Sequence, residues 1–110
     1  MTTAIAVEAG LTAGRIGTLG AYAAGRDLPS AHTTPEADDL QRLLARMRDL
    51  DVRFVAMEVS SHGLALRRTD ATRFVGAVFT NLTQDHLYFH ATIDDYFRAK
   101  LRLFAEYPLR

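Results

Sequence analysis

The sequence contains no cysteine, no surplus of either charge and no long apolar run. The lack of cysteine excludes disulfide bonds and thiolate metal sites within this chain. Its 13 basic residues balance 13 acidic residues, so no net charge attracts it to nucleic acid or to an anionic membrane surface. No run approaches the roughly 18 apolar residues of a membrane span, and the Met1–Gly10 segment lacks the features of a signal peptide. These absences predict a cytoplasmic domain that neither inserts into a membrane nor binds nucleic acid.

The apolar residues that are present alternate between helical and strand patterns. Helices are predicted up to Gly10, from about Pro35 to Leu50, and after Thr92; short strands are predicted at 14–20, 53–59 and 75–80, and a polar loop at 21–32. Short apolar strands that alternate with helices are typical of parallel sheets covered by helices. The predicted fold class is therefore α/β: a partial three-layer sandwich in which helices flank a mostly parallel sheet.

Helix ends are marked by capping residues. Gly10 suits the left-handed position just past a helix C-terminus. Thr34 suits an N-cap because Pro35 follows it at the first helical position. Thr92 suits the N-cap of the last helix, with Asp95 as its capping-box partner.

Polar side chains lie at the carboxyl ends of two predicted strands, in the segments 58–62 and 81–86. Ligands in open α/β sheets bind outside the carboxyl ends of the strands, so these segments predict a site. Glu58 is either a metal ligand or general base, or a strand-end residue that caps a helix or faces water. With Asp85, His62 and His86 it could hold a metal, and histidine with carboxylates favours zinc or manganese over magnesium. A single histidine in a loop is more often a structural hydrogen-bonding residue than a metal ligand, and the grouping of two histidines with two acids is what favours a metal site.

Two basic positions also leave alternatives open. Lys100 lies near the apolar stripe of the last helix, where most lysines extend to water. Arg68, beside Arg67, is either solvated or able to bind a phosphate or carboxylate. The glycines of segment 14–20 lack the spacing of a nucleotide loop, and no G-x-x-x-x-G-K-[ST] sequence occurs in the chain.

Several ordered motifs resemble the Mur ligase family, most closely its UDP-N-acetylmuramoyl-tripeptide synthetases (MurE). The segment 56–64, AMEVSSHGL, resembles the family's E-V-S-S-H motif, and 80–87, TNLTQDHL, resembles its T-N-L-x-x-D-H-L motif. The segment 96–100, YFRAK, resembles its Y-x-x-A-K motif. IGTLG at 16–20 and TTP at 33–35 match two further motifs of the family in the same order. The resemblance therefore covers nearly the whole chain.

The resemblance implies a ligase that uses ATP and magnesium to join an amino acid to UDP-N-acetylmuramoyl-L-alanyl-D-glutamate in peptidoglycan biosynthesis. ATP phosphorylates the substrate carboxylate, and the incoming amine displaces phosphate. By the same resemblance, the residues take these roles: Glu58 and His86 as magnesium ligands; Lys100 as the catalytic, carbamylated lysine; Thr33, Thr34, Ser60 and Arg68 in substrate binding; Asn81, Asp85 and His62 near the nucleotide.

The chain also departs from the family pattern. The glycine-rich loop with its lysine, which holds the ATP phosphates, does not occur in the sequence. Leu66 and Tyr88 stand where the family has Gln and Asp. We therefore expect residues 1–110 to be one partial central domain, without the N-terminal UDP-binding and C-terminal ligase domains, and to be inactive alone. Uncovered sheet edges predict self-association.

Two other functions remain open from the sequence. One is a small metal-dependent hydrolase built on Glu58, His62, Asp85 and His86. The other is a non-catalytic remnant that binds UDP-muramoyl peptides. Whether the added amino acid is diaminopimelate or lysine does not follow from these residues.

Overall fold

The computed structural model describes residues 2–30, 32–80 and 92–107. Its elements, in chain order, are α1 (Thr2–Glu8), β1 (Ala13–Gly17), β2 (Gly20–Ala23), β3 (Arg26–Leu28), α2 (Ala37–Asp49), β4 (Phe54–Met57), α3 (Ser61–Ala65) and α4 (Ile93–Ala105). They form two compact units, Met1–Val59 and Ser60–Arg110. The predicted α/β class is confirmed. None of the helices in the described ranges has the length and apolar character needed to cross a membrane.

The first unit contains a four-stranded sheet in the order β3-β2-β1-β4. β1 pairs in parallel with β4, whereas β1 with β2 and β2 with β3 are antiparallel. The prediction of a mostly parallel sheet is therefore wrong for the described strands. The difference arises in segment 21–32, predicted as a loop, which contains two short strands. Ala24 and Gly25 both have positive φ, as in the type I′ turns that favour tight hairpins.

Helix α2 covers one face of this sheet. The core joins residues of α2 to residues of β1, β2 and β3: Leu40, Leu43 and Met47 with Ile16, Ala21, Ala23 and Leu28. A Cβ at Gly14 would lie 3.0 Å from the sulfur of Met47, so the absence of a side chain there lets the helix approach β1 closely. The helix predicted from about Pro35 to Leu50 is confirmed, with observed bounds of Ala37–Asp49.

The helix ends test the capping predictions. Gly10 lies past the end of α1 with φ +86°, as predicted. Thr92 caps α4, and its hydroxyl accepts from the Asp95 amide at 3.1 Å. The prediction for Thr34 is wrong, because the N-cap of α2 is Glu36. The Thr34 hydroxyl instead donates to the Glu58 carbonyl at 3.1 Å, which ties the segment before α2 to the end of β4.

The second unit joins α3 to α4. Helix α3 was not predicted; Ser60 caps it by accepting from the Gly63 amide at 3.0 Å. Arg102 of α4 donates to the Leu64 carbonyl at the end of α3. The predicted strand at 75–80 is absent from the described structure, where Val75 and Val78 are 77% and 82% exposed.

A buried hydroxyl pair lies at the end of α4. Thr69, which is fully buried, is 2.8 Å from the hydroxyl of Tyr107. The Tyr107 hydroxyl donates its proton to Asp70, so Thr69 is the donor to Tyr107. Arg102 adds an ion pair to the same carboxylate at 3.5 Å. This network, here called the Tyr107 network, fastens the end of α4 to the segment after α3.

Candidate functional site

Hydroxyl and carboxylate groups converge where β1 and β4 end. The two strands are parallel, with Ile16 opposite Met57, so their carboxyl ends meet at one edge of the sheet. The Glu58 amide extends the pairing by donating to the Ile16 carbonyl at 2.8 Å. Thr18 directly follows the last residue of β1 and lies beside Glu58, which directly follows β4. The four residues that meet here, Thr18, Thr33, Thr34 and Glu58, are called the Thr–Glu cluster.

One oxygen of the Glu58 carboxylate is held from two directions. Its Oε2 accepts from the Thr18 amide at 3.2 Å and from the Thr18 hydroxyl at 2.8 Å. The Thr18 and Thr33 hydroxyl oxygens are 3.3 Å apart. With the bond from Thr34 to the Glu58 carbonyl, both threonines predicted to bind substrate lie beside the predicted metal ligand Glu58.

The side-chain atoms of the Thr–Glu cluster that could bind a metal ion are all oxygens. Glu58 is exposed, and among the described residues no hydrogen bond reaches its Oε1. Magnesium is bound through one or two carboxylates and keeps several waters, so this arrangement fits magnesium. No group of three or more histidine, aspartate and glutamate side chains able to hold a metal occurs in the described ranges, which omit Asp85 and His86.

Gly17 leaves room for the Glu58 carboxylate. A Cβ at this position would lie 2.6 Å from Oε1 and 2.7 Å from Cδ of Glu58. Such distances are too short for non-bonded atoms, so any side chain at Gly17 must displace the carboxylate. The Glu58 side chain is flexible and exposed, so it can move away with little strain on the backbone.

We expect Gly17→Ala to separate Glu58 from Thr18 while the fold is retained. Gly17 is buried, but the atoms that a Cβ would meet belong to the exposed Glu58 side chain, so the free energy of unfolding should fall by only about 1 kcal/mol. NMR should show a shifted and faster-exchanging Thr18 amide. Gly76→Ala is the matched control, because a Cβ at Gly76 meets no atom within 4 Å. An unchanged Thr18 amide in Gly17→Ala would contradict the close approach.

The second unit holds three further predicted site residues: Ser60 just before α3, His62 within it and Arg68 after it. The Ser60 hydroxyl caps α3, so part of its hydrogen-bonding capacity is used within the protein. His62 lies in the first turn of α3 and is half-buried. Arg68 is only 8% exposed, which is unusual for an arginine and contradicts its interpretation as a solvated residue.

Lys100 lies on α4 against two aromatic rings. Its Nζ is 4.9 Å from the centre of the Tyr96 ring and 5.6 Å from that of Phe79. The negative face of an aromatic ring attracts an ammonium group and repels an anion. This position therefore suits the unmodified lysine, and a carbamylated side chain would have to turn away from the rings.

Three predicted site residues, Asn81, Asp85 and His86, lie outside the described residues. Glu58 and Lys100 belong to different compact units. A cation shared by Glu58, His86 and Lys100 therefore remains a prediction.

Sequence reasoning missed Thr18. It occurs in the segment 16–20, which was noted only as a motif and as a glycine-rich turn. The available signal was its position near the end of the strand predicted at 14–20, comparable to that of Glu58 near the end of the strand predicted at 53–59. The contact with Glu58 spans 40 residues and depends on the pairing of β1 with β4, which local patterns do not reveal.

Comparison with known proteins places these residues in a family. The family model described as the Mur ligase middle domain matches residues 1–110. A UDP-N-acetylmuramoyl-L-alanyl-D-glutamate–2,6-diaminopimelate ligase of Corynebacterium glutamicum is 55% identical over 104 residues, covering 94% of this chain and 20% of the relative. The ligase of the same name from Streptomyces coelicolor is 50% identical over 107 residues, covering 94% and 21%.

A solved structure agrees with the sequence relatives. It is described as a UDP-N-acetylmuramoyl-L-alanyl-D-glutamate–2,6-diaminopimelate ligase, and it matches with a TM-score of 0.79 and 32% identity. The match covers 93% of this chain and 20% of the other. The chain thus spans about a fifth of the length of the relatives it matches. Within that span the resemblance deduced from the motifs is confirmed, and the chain belongs to the Mur ligase family as a middle-domain sequence.

Proposed function

We propose that this chain forms part of the active site of an ATP-dependent ligase of peptidoglycan biosynthesis. The reaction joins an amino acid to UDP-N-acetylmuramoyl-L-alanyl-D-glutamate through a new amide bond. The amino acid is 2,6-diaminopimelate, which the names of the relatives specify. The Thr–Glu cluster is the observation that supports this most, because predicted substrate-binding and metal-binding residues adjoin there.

Glu58 and His86 are proposed as ligands of magnesium, and Lys100 as the lysine whose carbamate holds a second ion. Magnesium supplies positive charge against the phosphate oxygens of ATP. Glu58 contributes its Oε1, because Oε2 is already engaged by Thr18. Lys100 contributes only after it turns from Tyr96 and Phe79.

Substrate contacts are proposed for Thr33, Thr34, Ser60 and Arg68. The bond from Thr34 to the Glu58 carbonyl keeps Thr33 at the end of β4, where its hydroxyl can face the substrate. A buried guanidinium such as that of Arg68 suits bidentate binding of a phosphate or carboxylate. Asn81, Asp85 and His62 are proposed to lie near the nucleotide.

ATP is proposed as co-substrate, although no residues of this chain form the glycine-rich phosphate loop. A cytoplasmic location is proposed with it, in keeping with membership of the Mur ligase family. Self-association is proposed as well, since β4 ends the described strand order and leaves an edge that another chain can pair with.

Binding measured by NMR on the purified chain tests the proposal. UDP-N-acetylmuramoyl-L-alanyl-D-glutamate should shift the signals of Thr33, Thr34 and Arg68. Magnesium, or manganese as its paramagnetic probe, should bind weakly and perturb the signals around Glu58. Glu58→Ala should abolish the metal effect.

Glu8→Ala is the matched control, since Glu8 is an exposed carboxylate at the end of α1, and it should leave metal binding unchanged. Absence of substrate shifts together with absence of a metal effect at Glu58 would contradict the proposal. Tight binding of one equivalent of zinc would instead favour the hydrolase alternative.

A further inference from the structure

The hydroxyl of Thr18 lies between a residue proposed to contact substrate and a residue proposed to bind metal. It is 2.8 Å from Oε2 of Glu58 on one side and 3.3 Å from Oγ1 of Thr33 on the other. All three side chains belong to the first compact unit. The family motifs assigned no role to Thr18. Its hydroxyl forms a bridge between the proposed substrate contact of Thr33 and the proposed metal binding of Glu58.

Proton counting gives this bridge a direction. A threonine hydroxyl has one proton to donate and can accept as well. Thr18 donates its proton to the Glu58 carboxylate, which has none to give when ionised. The hydroxyl of Thr33 must then donate to Thr18. The series of donors runs from Thr33 through Thr18 to Glu58.

The bridge also fixes which carboxylate oxygen is available. The amide and the hydroxyl of Thr18 both donate to Oε2, so this oxygen is saturated by a single residue. Oε1 lies over Gly17 and, among the described residues, accepts no hydrogen bond. A cation would therefore meet the carboxylate through Oε1 alone, in an orientation that Thr18 sets.

We propose that Thr18 is a positioning residue that orients Glu58 for the cation and couples cation binding to the contact that Thr33 makes with substrate. The inference rests on the proposed function. When a substrate oxygen accepts the hydrogen bond from the Thr33 hydroxyl, the Thr18 hydroxyl loses its donor. The hydrogen bond from Thr18 to Glu58 then changes in strength. Such coupling is reciprocal, so the cation must change the affinity for substrate by the same factor.

Manganese titration of the purified chain tests the positioning role, with line broadening of signals around Glu58 as readout. Manganese has the same preference for carboxylate and water ligands as magnesium. Thr18→Val removes the hydroxyl but keeps the shape and the backbone amide. It should weaken manganese binding about 10-fold, as is typical when a partner of a metal ligand is lost. Thr18→Ser, which restores the hydroxyl, should recover most of the affinity.

The matched control is Thr12→Val, an exposed threonine just before the other end of β1. It should bind manganese as the unaltered chain does. A merely structural effect of Thr18→Val would lower its thermal midpoint relative to that of Thr12→Val. An effect on positioning weakens manganese binding in Thr18→Val while the two thermal midpoints stay alike.

A double-variant cycle tests the bridge to Thr33. Thr33→Val should weaken manganese binding less than Thr18→Val does. The double variant should bind no more weakly than Thr18→Val alone, because Thr33 acts on Glu58 only through the Thr18 hydroxyl. Additive losses would show that Thr33 and Thr18 act independently, which overturns the coupling.

Manganese binding by the unaltered chain tests the metal role of Glu58 separately from the positioning role of Thr18. If manganese causes no broadening around Glu58, the metal role of Glu58 is wrong and this inference falls with it. If manganese binds there and Thr18→Val binds it equally well, the proposed function stands and the positioning role of Thr18 is overturned.

Discussion

The purified 110-residue chain is expected to release no phosphate above background when given UDP-N-acetylmuramoyl-L-alanyl-D-glutamate, diaminopimelate, ATP and magnesium. Catalysis of phosphoryl transfer depends almost entirely on positioning the phosphates and neutralising their charge. Loss of one well-placed hydrogen-bond donor from an oxyanion hole costs about 10²–10³ in rate, which sets the scale for a single donor. The chain contains no glycine-rich loop with a lysine, so an entire set of donors is missing and the rate should fall by many orders of magnitude.

A coupled phosphate-release assay measures this, with a full-length diaminopimelate ligase in the same buffer as the positive control. NMR binding of the UDP-linked substrate, run in parallel, distinguishes an inactive but folded site from an unfolded chain. Steady turnover by the purified chain, removed by Glu58→Ala, would contradict the prediction and would mean that other residues hold the ATP phosphates.

The long amphipathic elements of the fold could be predicted from local patterns. The helix containing Leu40, Leu43 and Met47 repeats apolar residues at helical spacing, and the predicted and observed helices agree to within two residues at each end. The helix capped by Thr92 was equally clear. In both, the signal lies within one stretch of chain and does not depend on distant partners.

The short strands could not be predicted in this way. β2 and β3 have only four and three residues; the buried members of β2, Ala21 and Ala23, carry little apolar signal, and β3 buries only Leu28. They become strands because β1 supplies a pairing edge and the Ala24–Gly25 turn fits a hairpin. The opposite error occurred at 75–80, where β-branched residues favour a strand but the described chain provides no pairing.

Local sequence patterns also predict only part of the Thr–Glu cluster. Glu58, Thr33 and Thr34 were chosen because their motifs resemble those of a known family, and the contacts among them agree with that choice. Thr18 was missed because its importance comes from the parallel register of β1 and β4 and from the missing Cβ of Gly17. The identity of site residues can follow from sequence motifs, whereas the residues that orient them follow from packing.

We expect Tyr107→Phe to destabilise the second unit by about 1–3 kcal/mol near neutral pH, because it removes the middle member of the Tyr107 network. The Thr69 hydroxyl, fully buried, would lose its acceptor, and Asp70 would lose a donor. Amide hydrogen exchange in α4 measures the effect within this unit. Tyr22→Phe is the matched control, because Tyr22 is 38% exposed, and it should change stability by less than about 0.5 kcal/mol.

The pH dependence of this difference follows from two pKa shifts of opposite direction. The hydrogen bond from Tyr107 lowers the pKa of Asp70. The stabilisation of the fold by the ionised Asp70 is therefore complete above its ordinary pKa of about 3.9, and it is lost as the pH falls through the lower pKa of the folded state. Burial, and then the bond to Asp70, raise the pKa of Tyr107. That contribution is complete below about pH 10 and is lost as the pH rises through the higher folded-state value.

The stability difference between the unaltered chain and Tyr107→Phe should therefore be largest between about pH 4 and pH 10 and should shrink on both sides. Thr69→Val combined with Tyr107→Phe should recover part of the loss, because no buried hydroxyl is then left without a partner. A loss that is independent of pH and unchanged in the double variant would mean that packing of the Tyr107 ring against Phe74, and not the hydroxyl network, holds the end of α4.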